Sequence, residues 1–195
     1  MARRKRRIRH NPKPLSKGAK IAIALGVGLG LTFLARKVFA SEDEYGEGGT
    51  YAPGTPEQIA LFEQAADKAG VPRWWASSPA LFAILKSESG GKVGIPNYMW
   101  RPWVEKQGLP WDSSSWPAVW KVIREGNARP SQTGISSHAA GLGQLQPGNM
   151  KLYQPSGIKG VGKPLEEAIG MLRYIKARYG SMEKAWDFWQ SNHQY

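Results

Sequence analysis

Beyond Thr55 the chain is punctuated by residues that open and close helices. Thr55-Pro56-Glu57-Gln58 is a helix start, with Thr as N-cap, Pro at the first helical position and Gln at the third, the pattern of a capping box. Ile59, Phe62, Ala66 and Ala69 then fall on one face, and Gly70 ends the helix. Ser78-Pro79 opens a second helix, "PALFAILKSE", with Leu81, Ile84 and Leu85 at helical spacing and Glu88 in its last turn. Residues 117–126, "PAVWKVIREG", make a third. The clearest is 164–180, "PLEEAIGMLRYIKARYG", where Leu165, Ile169, Leu172 and Ile175 form the apolar stripe and Gly180 the stop. "SMEKAWDFWQ" follows at once, capped by Ser181. No run alternates as a strand does, no internal repeat is visible, and the Pro- and Trp-rich segment 94–116 reads as irregular. The body is expected to be all-α.

The first forty residues are built differently. They hold eleven of the 27 Lys and Arg and no acid, so the formal charge of +12 sits almost wholly in a tail. Residues 1–20 read as a basic, disordered arm. Ile21 to Ala35 is uncharged and mostly apolar. As a helix that run would reach only about 22 Å, but extension to Ala40, with Arg36 and Lys37 snorkelling, completes a span. A single transmembrane anchor over 21–40 is the preferred reading. A signal peptide cleaved after "VFA" is a second, opposed by Arg36, Lys37 and the length of the arm. A buried soluble helix is a third, opposed by Gly26, Gly28 and Gly30. Gly26 and Gly30 form a GxxxG, which can pair helices in a membrane. The nine Lys and Arg before the apolar run keep the N-terminus on the inner side and put the body beyond the membrane. Residues 41–54, acidic and Gly/Pro-rich, read as a flexible linker, and 55–195 as the main domain.

Several chemistries are excluded by composition or spacing. There is no cysteine, hence no disulfide, thiol nucleophile or Cys-based zinc site. His10, His138 and His193 show no metal-ligand spacing, and His138 in "SSHAAG" reads as a loop histidine. "GIKGVGKP" nearly fits a phosphate loop, but no strand precedes it and Pro164 stands where a magnesium-binding hydroxyl is needed. No GxSxG elbow occurs. No cofactor is implied. The basic arm has no interleaved aromatics or nucleic-acid module, so nucleic-acid contact is a minor reading beside a topogenic or lipid-headgroup role.

Glu88 is the residue that asks for a role. It continues an apolar helix face, where partial burial would raise its pKa and keep it protonated as an acid. It is followed by Ser89-Gly90-Gly91, which permits close backbone approach. "AAGLGQLQP", Ala139 to Pro147, places two glycines about Leu142 and offers the Gln144 amide as donor and acceptor, a composition suited to lining a polar polymer. Nine Trp supply core and the material for an aromatic-lined cleft.

"ESGG", then "AAGLGQLQPGNMKLY", then "YIKARYGSMEKAWDFW", in that order over about residues 55–195, resemble the lytic transglycosylase domain of the soluble-type, goose-lysozyme-like family. The version ending in a Trp-rich helix is similar to muralytic domains of phage virion and tail proteins. The resemblance implies a lysozyme-like helical fold with Glu88 as the single catalytic acid/base. It places Ser89, Gly141, Gln144 and Tyr174 about the glycan, with Trp186 in the position of a Tyr. Where the family carries Ala-Tyr-Asn-Ala-Gly this chain reads "AWDFW", Ala185 to Trp189, so the hydrogen bonds that element supplies to the acid are left open. Between Glu88 and Gly141 lie Trp100, Trp103, Trp111, Trp116 and Trp120, expected mostly in core or lid packing, with one or two available to stack on sugar rings.

The implied reaction is cleavage between N-acetylmuramic acid and N-acetylglucosamine, leaving a 1,6-anhydro sugar. A lysozyme-type hydrolase would need a second carboxylate, for which Glu105, Asp112 and Asp187 are available. A non-catalytic peptidoglycan-binding membrane protein with the same fold is the rival from another class. The expected architecture is a membrane-anchored enzyme, inner N-terminus and wall-facing domain, that opens peptidoglycan locally in a virion or a secretion apparatus.

Overall fold

The computed structural model describes residues 46–192. The basic arm, the proposed anchor over 21–40 with its Gly26 and Gly30, and the first part of the linker lie outside them. The described residues are helical and contain no strand, only isolated bridges. No helix among them is long and apolar enough to cross a membrane.

Helix α1 (Pro56–Ala69) starts as its punctuation demands: the Thr55 hydroxyl accepts the Gln58 N–H at 3.3 Å, and Gly70 closes the helix in the left-handed region. Gln58 reaches back to Gly54 N–H at 3.0 Å rather than to Thr55, and donates to the Ala76 carbonyl at 3.2 Å. With its amide satisfied, Gln58 is fully buried, and the buried face of α1 runs through Gln58, Leu61, Phe62 and Ala65. Ile59, placed on the core face by periodicity, is half-exposed.

A 3₁₀ turn (Arg73–Ser77) leads to α2 (Pro79–Glu88), whose N-cap Ser78 accepts the Ala80 N–H at 3.2 Å. Leu81, Ile84 and Leu85 are fully buried. Complete burial of such a side chain is worth about 1.5–3 kcal/mol, and this stripe fixes the rotation of α2. Glu88, one turn beyond Ile84 and Leu85, continues it.

The segment read as irregular carries a 3₁₀ turn (Tyr98–Trp100) and a short helix, α3 (Arg101–Lys106). Then come α4 (Trp116–Arg124), a single turn α5 (Pro130–Thr133) and α6 (Pro147–Tyr153). Helix α7 (Pro164–Tyr179) is the hub. Leu165, Ile169, Leu172 and Ile175 are buried as expected, but so are Glu166, Glu167, Gly170 and Tyr174, so α7 is enclosed over its first three turns, and its last turn, Lys176 to Arg178, is exposed. Gly180 ends it, and α8 (Met182–Asn192) begins with the Ser181 hydroxyl accepting the Lys184 N–H at 3.3 Å.

Two apolar clusters result. One joins α1, α2, α7 and α8 through Phe62, Leu85, Leu172 and Ala185. The other joins α3, α4 and α6 through Trp100, Val104, Ile123 and Met150.

The linker reading of 41–54 needs correction over its described part. Gly48 N–H donates to the Gly162 carbonyl at 2.8 Å, Tyr51 N–H to Gly91 at 2.8 Å, and Val93 N–H to Gly49 at 3.0 Å. These bonds dock 48–51 alongside 91–93. Gly91 is required there: a Cβ would lie 2.0 Å from the Tyr51 carbonyl oxygen. Gly91, the second glycine after Glu88, thus admits another stretch of this chain.

Candidate active site

A cleft of about 320 Å³ opens at the C-terminal end of α2. Glu88 lines it together with Asn97, Gln144, Asn149, Tyr174 and Arg178. Among the described residues Glu88 is the one carboxylate in its wall.

The Glu88 side chain is half-buried, and Oε1 accepts the indole N–H of Trp189 at 2.9 Å. Burial raises its pKa above the ordinary glutamate value, and the Trp189 bond opposes that rise without cancelling it. Helix α8 supplies the donor. Trp186 lies flat on Trp189, ring centroids 5.2 Å apart and planes 9° from parallel. Trp186 also packs on the apolar cluster of α1, α2 and α7, so it backs the residue that touches the acid. The element "AWDFW" contacts the acid through its last residue.

The loop "AAGLGQLQ" is shaped by a divided loyalty. Leu142 is buried in one apolar cluster, Ala140 and Leu145 in the other. Gly143 and Gln144, left between them, line the cleft. Gln144 has φ of +46°, the one non-glycine left-handed residue among those described. Its amide donates to the carbonyls of Ile95 at 3.0 Å and Gly141 at 3.1 Å, and accepts from Asn97 at 3.3 Å. Both amide hydrogens are therefore engaged by the protein. Gln144 ties the loop to the opposite wall and presents its remaining carbonyl capacity to the cleft.

Glu167 is the residue that sequence reasoning missed. It lies on α7, only 2 % exposed, and no lysine or arginine among the described residues bonds its carboxylate. It accepts backbone N–H bonds from Gly94 at 3.1 Å, Leu142 at 2.9 Å and Gly162 at 2.7 Å. Burial pushes its pKa up to about 7, against the pull of those three donors and of the Arg124 charge. One carboxylate thus gathers three loops, two of which wall the cleft. Gly141 must be glycine for the same reason: its φ is +84°, and a Cβ would sit 2.5 Å from the Glu167 carboxyl carbon. The adjacent acids in "PLEEAIG" were the available signal, since both fall near a stripe otherwise apolar.

The other expected site residues are placed as follows. Ser89 is buried, its hydroxyl accepting Gly91 N–H at 3.1 Å and donating to the Leu85 carbonyl, so it shapes the turn behind Glu88. Tyr174 lines the cleft, its hydroxyl accepting from Arg178 and its ring edge-on to Tyr153 at 5.6 Å. Arg178 also lies over the rings of Tyr174, Tyr179 and Phe188, which holds a cation at the cleft wall. Asn149, unsuspected from sequence, makes no side-chain hydrogen bond among the described residues and lines the cleft with its amide available. The three alternative carboxylates lie elsewhere: Glu105 pairs with Arg101 at 2.7 Å, Asp112 accepts from Ser114, and Asp187 is exposed on α8. His138 lies in a loop as read, and is buried against Trp100 and bonded to the Thr133 hydroxyl at 2.6 Å. No cluster of metal-ligating side chains occurs among the described residues.

Compared with known proteins, the chain matches no family model, no curated protein and no solved structure.

Proposed function

We propose that the protein is a peptidoglycan lytic transglycosylase with a lysozyme-like domain, carried on a membrane by residues 21–40. The observation that carries this reading is a single, half-buried carboxylate, Glu88, with a raised pKa in a polar cleft that contains no second acid among the described residues. A two-carboxylate hydrolase has no partner for Glu88 in that wall.

Protonated Glu88 donates to the glycosidic oxygen as the bond from the muramic acid C1 breaks, and the departing sugar leaves as an alcohol. The neighbouring 2-acetamido group stabilises the positive charge left at C1. The Glu88 carboxylate then removes the proton from the C6 hydroxyl of the same muramic acid as that oxygen bonds to C1. Glu88 regains its proton, and the product is the 1,6-anhydro sugar with no water consumed. Trp189 steadies the carboxylate between the two steps by the hydrogen bond it already makes. Asn149 and the free carbonyl capacity of Gln144 suit the hydroxyl and amide groups of the glycan, and Arg178 suits its carboxylates.

The test is incubation of the full chain with purified sacculi, followed by mass analysis of the released muropeptides. Products one water lighter than hydrolysed ends support the transglycosylase. Hydrated ends would replace it with a lysozyme-type muramidase. Absence of products from a folded protein would leave a non-catalytic wall-binding role. The anchor is tested separately: carbonate extraction that releases the protein from membranes would overturn it.

A further inference from the structure

A second, larger cleft of about 540 Å³ is lined by Trp111, Trp116, Lys92, Ile95, Asp112 and Thr50 among others. It contains no residue of the Glu88 cleft. The two do share a wall: the segment 92–97 sends Lys92 and Ile95 to the second cleft and Asn97 to the first. That segment is held rigidly, by Glu167 on Gly94 N–H at 3.1 Å, by Gln144 on the Ile95 carbonyl at 3.0 Å, and by Trp120, whose indole N–H donates to Gly94 at 2.7 Å.

We propose that this second cleft is a non-catalytic peptidoglycan-binding site that holds the polymer while the Glu88 cleft cuts it. Trp111 and Trp116 remain half-exposed, although Trp100 and Trp120 in the same region are buried. A half-exposed indole in a concave surface ringed by polar groups suits the apolar face of a pyranose. Lys92 is exposed and forms no ion pair among the described residues, which leaves a cation for a carboxylate. The Ser114 hydroxyl and the Ser114 backbone N–H, the latter at 2.8 Å, lower the Asp112 pKa and leave an exposed carboxylate able to accept from hydroxyls or amides. Aromatic faces with one cation and one anion match a glycan that bears a carboxylate and an amide-rich stem peptide. A neutral homopolymer would leave Lys92 without a counterpart. The site rests on the peptidoglycan reading for its ligand, but not on the chemistry assigned to Glu88.

The experiment uses full-length protein carrying Glu88→Gln, so that binding is measured without cutting. Sedimentation with purified sacculi is compared for this protein and for versions that also carry Trp111→Ala with Trp116→Ala, or Lys92→Glu. Bound protein is expected to fall about tenfold with the paired Trp changes and several-fold with Lys92→Glu. In protein that retains the native Glu88, the same substitutions are expected to leave turnover of a soluble tetrasaccharide fragment within about twofold. Lys92 is exposed, so its variant judges the proposal even if the Trp pair unfolds the domain. Undiminished sedimentation of the Lys92 variant, and of the Trp variant if folded, would overturn it. If the wild-type protein cuts nothing, the sedimentation result still decides the binding site on its own.

Discussion

The indole N–H of Trp189 meets Glu88 Oε1 at 2.9 Å across 101 positions of sequence, joining the last described helix to the end of α2. The bond favours the ionised carboxylate, while burial favours the protonated one.

Trp189→Phe keeps the aromatic packing on Trp186 and removes the donor. The Glu88 pKa should then rise further. Activity that needs protonated Glu88 for the first step should persist to higher pH, so the basic limb of the pH–rate profile moves to more alkaline values. A limb that stays in place or moves toward acid would contradict the assignment of Glu88 as the acid.

Glu88→Gln preserves shape and can still accept from Trp189, but cannot give up a proton. Muropeptide release from sacculi should fall by about 10²–10⁴-fold, the usual contribution of a positioned general acid. Zymogram activity that survives the change would remove Glu88 from the mechanism.

Glu167 sets a pH dependence of stability. Its folded pKa, about 7, stands above the free value of 4.5. Below pH 4.5 both states hold the proton; as pH rises toward 7 the unfolded chain releases it first, so the melting temperature should fall through this window. Glu167→Gln should flatten that slope, which thermal melts at pH 4.5 and pH 7.5 would show. Glu167→Ala should destabilise by more than about 3 kcal/mol, because three buried N–H groups lose their acceptor at about 1–3 kcal/mol each.

Gly141→Ala should be damaging without touching any substrate atom. The left-handed backbone costs about 1–2 kcal/mol for a residue with a Cβ, and the clash with Glu167 adds to it. A lower melting temperature together with weaker glycan cleavage is expected. A variant as stable as wild type would mean that the loop shifts freely, contrary to its bonds to Glu167 and Ile95.

Much of the helical framework was legible because its determinants are local. Thr55, Ser78 and Ser181 cap helices within three residues of themselves, and Gly70 and Gly180 stop helices by their own backbone freedom. The stripe of Leu81, Ile84 and Leu85 likewise placed Glu88 on the buried side of α2. Periodicity was less reliable where a polar residue was buried. Gln58 displaced Ile59 from the core because Gly54 and Ala76 satisfied its amide, and α7 took Glu167 inside because three loops met it there.

The sequence by itself determined where α1, α2, α7 and α8 start, where α1 and α7 stop, and that one acid would end an apolar face. Both follow from hydrogen bonds and side-chain spacing within one or two turns. Only the tertiary structure decided that Trp189 reaches that acid, that Glu167 gathers Gly94, Leu142 and Gly162, and that the Gln144 amide braces the cleft wall. Those contacts join groups far apart in the chain. Their hydrogen-bond partners are set by how α2, α7 and α8 pack together, which no local pattern encodes.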